Sequence, residues 1–131
     1  MTYLIDTDWV IGHFRQVERI TRRLEELSPQ GLALSIISLA ELYEGVFYSR
    51  DPLQSEAILR EFLNPELTIL PIDDQTCQIF GRERGRLRRE GRTIGDLDLF
   101  IAATCLRHNL TLLSNNRRHF EQIEGLTIIS I

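Results

Sequence analysis

Carboxylates set just beyond short apolar runs are the residues of this chain best placed to do chemistry. Asp6 directly follows Thr2-Tyr3-Leu4-Ile5, and Asp8 stands two residues on. Glu41 falls in the first turn of a helical pattern that succeeds Leu32 to Ile36. Asp96 and Asp98 open the run Leu99-Phe100-Ile101-Ala102-Ala103-Thr104, and Asn115 and Asn116 come just after Leu110 to Leu113 and Ser114. Two carboxylates about 4 Å apart repel by about 4 kcal/mol at an effective dielectric of roughly 20. Three therefore stay ionised together only beside a compensating cation. Oxygen ligands without His or Cys select a hard ion, Mg²⁺ or Mn²⁺ rather than zinc. Such an ion activates water against a phosphodiester and steadies the leaving oxygen. His13, His108 and His119 are scattered, and His108 and His119 are expected at the surface or at helix ends.

The acids can act together only if the fold delivers them to one place. Thr2 to Ile5, Leu32 to Ile36, Leu67 to Ile72, Leu110 to Leu113 and Leu126 to Ile129 read as about five short strands, nearly continuous in apolar character as parallel strands covered on both faces are. Helical patterns separate them: Asp8 to Leu27 in two pieces, Ser38 to Tyr48, Pro52 to Leu63, Asp74 to Glu90 and Asp96 to Arg107, with a short turn over Asn115 to Phe120. This alternation predicts a three-layer α/β/α sandwich on a short parallel sheet, a single domain over residues 1–131. Ligands of such sheets bind at the carboxyl ends of the strands, near the switch in strand order, where all these acids fall.

Each acid also has an ordinary structural role open to it. Ser38-Leu39-Ala40-Glu41 is a capping box, in which Glu41 would satisfy the Ser38 amide. Asp8 and Asp96 are N-cap candidates, and Asp98 in a first turn complements the helix dipole. Asp6 ends a strand, where aspartate is otherwise disfavoured.

Composition narrows the classes. A chain of 131 residues with 43% hydrophobic and 26% charged content and a net charge of −4 suits a globular domain, not a disordered one. No apolar run is long enough for a transmembrane helix and no signal peptide is readable, so a cytoplasmic address without membrane contact is expected. Cys77 and Cys105 have no metal-ligand spacing and build no disulfide framework. All 15 Lys and Arg positions are arginine, which excludes Schiff-base chemistry, P-loop phosphate binding and lysine-assisted phosphoaspartate chemistry. Arg82, Arg84, Arg86, Arg88, Arg89 and Arg92 stand against only Glu83 and Glu90, a concentrated positive field in an acidic chain. Arg82, Arg86 and Arg89 share one helical face, either a solvated surface or a phosphate-binding one. Arg84, on the side of Phe80 and Leu87, is expected to snorkel toward the site or pair with an acid, and remains an RNA-binding candidate with the other three.

In order along the chain, Met1 to Asp8, Ser38 to Leu42, Ile94 to Ala103 and Leu113 to Phe120 resemble the successive motifs of PIN domains, specifically the VapC-type toxins of prokaryotic toxin–antitoxin pairs. The resemblance implies a metal-dependent endoribonuclease that hydrolyses RNA with a metal-activated water. It also implies a homodimer silenced by a small VapB-type antitoxin, touching DNA only through the antitoxin complex. Asp6, Glu41 and Asp98 fall on the family's three acids and would hold Mg²⁺ or Mn²⁺, Glu41 directly or through water. Asn116 falls on a fourth position that is often acidic and would order water. Asp96 becomes an extra acid, an N-cap or a ligand to a second metal. Asp8 stands where asparagine or serine is common. Trp9, Phe14, Phe47 and Tyr48 lie on the helices after the first two strands and would line a groove for an antitoxin helix or peptide. Asp6-Thr7-Asp8 also reads as the opening motif of an aspartate-nucleophile phosphatase, which needs a phosphate-holding base and leaves Glu41 unexplained. A non-catalytic PIN-like domain that only binds RNA or protein is the third reading, and the retained acids argue against it.

Overall fold

In the computed structural model, which describes residues 1–131, five strands form one parallel sheet in the order β3-β2-β1-β4-β5. The strands are β1 (Tyr3–Ile5), β2 (Leu32–Ser35), β3 (Thr68–Leu70), β4 (Thr111–Leu113) and β5 (Ile128–Ile129). The helices are α1 (Thr7–Phe14), α2 (Glu18–Leu27), α3 (Ile36–Phe47), α4 (Pro52–Phe62), α5 (Asp74–Arg89), α6 (Asp96–His108) and the single turn α7 (Arg117–Phe120). A 3₁₀ turn over Ser28–Gln30 leads into β2. No helix is long and apolar enough to cross a membrane.

Alternation along each strand divides the interior into two cores. Leu4, Ala33 and Leu112 face one layer, where they meet Leu87, Leu99, Ala102, Cys105 and Phe120. Their neighbours Ile5, Leu34 and Leu113 face the other, against Trp9, Val10, Leu24, Leu42 and Leu59. The sheet is thus covered on both faces, which is why its strands carry continuous rather than alternating apolar residues. Gly12 in α1 lets α2 pack close: a Cβ there would meet Ile20 Cδ1 at 2.5 Å, and the Ile20 side chain would have to shift.

Chain order places the site. From β1 the chain moves to β2 and β3 on one side, then crosses to β4 and β5 on the other. Strand order therefore reverses at β1, and the crevice of a doubly wound sheet opens beside its carboxyl end. Asp6 follows β1, Ser114 follows β4, and α3 springs directly from β2.

Two local expectations shift. The Ser35 hydroxyl, not that of Ser38, caps α3 and accepts from the Ser38 backbone N–H at 3.0 Å. Helix α3 thus starts two residues early, and Glu41 sits in its second turn with no capping function. Asp96 is the first helical residue of α6, with Gly95 as the cap.

Candidate active site

Asp6, Thr7, Asp8, Glu41, Asp98, Asn115 and Asn116 line one open cleft of about 420 Å³ without an apolar side chain. The first three come from the β1–α1 junction, Glu41 from α3, Asp98 from the first turn of α6, and the asparagines from the turn after β4. Four carboxylates from three elements therefore face the same space.

Each is held by protein donors. Asp6 is buried at the strand end, where its Oδ1 accepts from the Thr7 N–H at 2.9 Å and its Oδ2 from the Ser114 hydroxyl at 2.7 Å. Glu41 Oε1 accepts from the Thr7 hydroxyl at 2.7 Å, and the Ser38 hydroxyl lies 3.0 Å from the same Thr7 oxygen. Asp8 Oδ2 accepts from the Asn115 N–H at 3.0 Å. Asp98 Oδ2 lies 3.2 Å from His119 Nδ1, which is itself 3.1 Å from Asn116 Nδ2. Asn115 is drawn into the wall by its Oδ1, which accepts from Trp9 Nε1 at 3.1 Å and from the Ile131 N–H at 2.9 Å.

Burial, with like charges nearby, perturbs three of these acids. Burial pushes the Asp6 carboxyl up to about 7, with the charges of Asp8 and Asp98 adding to the push and the Ser114 and Thr7 bonds opposing it. Burial also raises Asp8, against the N–H groups of Asn115 and Trp9. Glu41 is raised by burial as well, against the Thr7 hydroxyl and with Asp98 and Glu44 adding. The acids of the lining offer only oxygen, and no arginine lines the cleft beside them. These properties fit a hard divalent cation. The carboxylates do not converge as a three-ligand cluster.

Asp6, Glu41, Asp98 and Asn116 thus lie together as expected from the sequence. Asp96 does not join them: it is 77% exposed and paired with Arg84 Nη2 at 2.6 Å, outside the cleft lining. Arg84 also donates to the Ile94 carbonyl and lies over the Phe80 ring, the acid pairing anticipated for it. Arg86 is not on a solvated face. Its guanidinium binds Glu83, Glu90 and the Gln122 carbonyl, with 17% of the side chain exposed. Arg82 and Arg89 are exposed. Trp9 is fully buried in the core and cannot be offered to a partner. Phe14 lines a groove of about 270 Å³ with Ile11, Leu42, Val46 and Ile58, and Glu41 lines both that groove and the acidic cleft. Phe47 and Tyr48, at 70% and 87% exposure, project from the end of α3.

Thr7, Ser114 and His119 were not singled out by sequence. The two hydroxyls adjoin strand ends, a position that could have flagged them as carboxylate donors. His119 carried no such signal, because α7 folds it back over 21 residues to Asp98.

The PIN domain family model matches residues 3–126. The chain belongs to the PIN-domain family. It is 33% identical over 128 residues to Ribonuclease VapC1 of Haemophilus influenzae, spanning 96% of this chain and 95% of that protein. A tRNA(fMet)-specific endonuclease VapC of Shigella flexneri is 27% identical over 126 residues, covering 96% and 95%. The crystal structure of VapBC2 from Rickettsia felis bound to a promoter DNA fragment contains a chain that matches this PIN domain with a TM-score of 0.92 and 30% identity, over 100% of this chain and 99% of that one. No arginine lines the PIN-domain cleft, so the phosphatase alternative has no base to hold its phosphate.

Proposed function

We propose that this chain is an endoribonuclease toxin of the VapC kind, which hydrolyses RNA phosphodiesters with Mg²⁺ or Mn²⁺ and is neutralised by a VapB-type antitoxin. The observation that carries this reading is the all-oxygen cleft with four carboxylates at the carboxyl edge of a PIN sheet, in a chain related along its length to VapC ribonucleases. Asp6 and Asp98 would hold the ion, with Glu41 directly or through water. When bound, the ion supplies a polarised water and charge stabilisation of the phosphoryl oxygens.

This chain's own side chains do the remaining work. Thr7 and Ser114 fix two of the acids by hydroxyl donation. The Asn116 side chain, on the cleft wall, can orient the attacking water without adding charge. Arg82 and Arg89 on α5 offer exposed guanidiniums to flanking phosphates. The groove beside Phe14 and the acidic cleft share Glu41 in their walls, so a peptide lying in the groove could reach the cleft with a basic side chain.

The test is cleavage of single-stranded RNA by purified protein. Cleavage is expected with Mg²⁺ or Mn²⁺, is abolished by EDTA and by Asp98→Asn, and stops on adding one equivalent of cognate antitoxin. Cleavage that persists in EDTA would overturn the reading.

A further inference from the structure

Adjoining the acidic cleft is a second hollow, of about 440 Å³, and Thr7 and Glu41 stand in the walls of both. Beyond those two residues, Ile11 comes from α1, Glu44 and Gly45 from α3, Tyr48 from the residue that ends α3, and Leu97 from the first turn of α6. Glu41, Glu44, Gly45 and Tyr48 recur at helical spacing and share one face. Ile11, Tyr48 and Leu97 are all exposed. One exposed apolar side chain needs no explanation, but three gathered around one hollow mark a surface for contact. Gly45 adds an independent observation. Its φ is not positive, and a Cβ there would meet nothing within 4 Å, so neither a turn nor internal packing uses the glycine. Alanine would serve the helix better. Glycine instead bares the backbone, so that a flat body can lie close against α3 between Glu41 and Tyr48.

We infer that this hollow is a subsite for one unpaired nucleobase of the RNA, next to the phosphate under attack, with Tyr48 as its stacking face. The inference rests on the ribonuclease reading of the cleft. Glu41 and Glu44 line the hollow and no basic side chain does, so a phosphate is repelled there. A nucleobase is uncharged, offers its π-face to Tyr48 and the apolar sides, and can donate from its edge to Glu44. Tyr48 is absent from the walls of the Phe14 groove, which sets it apart from the surface proposed for the antitoxin.

A short single-stranded RNA cleaved at one mapped bond tests this, made with an abasic nucleotide on either side of that bond in turn. Values of kcat/KM are compared for wild type and Tyr48→Ala. One abasic position should cost wild type about tenfold, and Tyr48→Ala should lose about as much on the intact RNA. The same abasic position should then cost the variant less than twofold more. Tyr48→Trp should keep both the activity and the abasic sensitivity. If wild type cleaves and neither abasic position distinguishes it from Tyr48→Ala, the subsite is overturned and the ribonuclease reading stands. If Tyr48→Ala cleaves as wild type does but escapes the antitoxin, the hollow belongs to the protein partner and the subsite is likewise overturned. A wild type that cleaves no RNA with Mg²⁺ or Mn²⁺ overturns both.

Discussion

Thr7 holds Glu41 through a 2.7 Å hydroxyl bond, and the buried Ser38 stands behind that hydroxyl. A hydrogen bond to a charged group contributes about 1.5–3 kcal/mol. Thr7→Val should therefore lower kcat/KM for RNA cleavage by about tenfold or more, and Thr7→Ser should restore most of it. Equal losses in both variants would remove the hydroxyl from the account. Asp6 makes a pH prediction for the metal-free protein. Its carboxyl is raised to about 7 in the fold from an ordinary value of 3.8, so the native state binds the extra proton. This contribution to stability is fully present below pH 3.8 and is lost as pH rises through 7. Asp6→Asn should accordingly melt near wild type at pH 4 and increasingly above it toward pH 8, as followed by circular dichroism without metal. A wild-type advantage that grows with pH would contradict the burial argument. At this scale the sequence was partly ambiguous. Ser38-x-x-Glu41 has the spacing of a capping box, yet Ser35 takes the cap one turn earlier and leaves Glu41 to the cleft. Two serines three apart compete for that cap, and the end of β2 decides between them.

Helix α5 shows what a helical wheel can and cannot resolve. Arg82, Arg86 and Arg89 share a face by periodicity, but the chain after α7 returns the Gln122 carbonyl to Arg86 across 36 residues. Arg86 is thereby a strut between buried Glu83, exposed Glu90 and that carbonyl, while Arg82 and Arg89 stay in solvent. Arg86→Ala should cost about 2 kcal/mol in urea denaturation, because Glu83 would be left buried and unpaired. Arg82→Ala with Arg89→Ala should leave stability within about 0.5 kcal/mol and weaken RNA binding, with a shallower salt dependence. The reverse pattern would reassign the helix. Trp9 teaches the same lesson on α1: aromatic type marks an anchor equally well for a partner or for a core, and only tertiary packing chose the core.

For the whole molecule, the parallel sheet and the edge on which its acids fall were legible from the chain alone. Five near-continuous apolar runs alternating with amphipathic helices leave little other architecture, and the carboxyl edge follows from it. Groove and cleft meet at Glu41, so the surface proposed for inhibition is continuous with the one proposed for catalysis. Phe14→Ala with Phe47→Ala should weaken antitoxin binding by more than it slows RNA cleavage. Trp9→Ala should instead destabilise the fold by about 3–5 kcal/mol. The central claim is hydrolysis by water at an acidic, metal-binding centre, and the chemistry of the cut ends tests it most directly. RNA cleaved by the purified protein with Mg²⁺ or Mn²⁺ should carry 5′-phosphate and 3′-hydroxyl ends throughout, since the RNA 2′-hydroxyl takes no part. Fragments ending in 2′,3′-cyclic phosphate would contradict it.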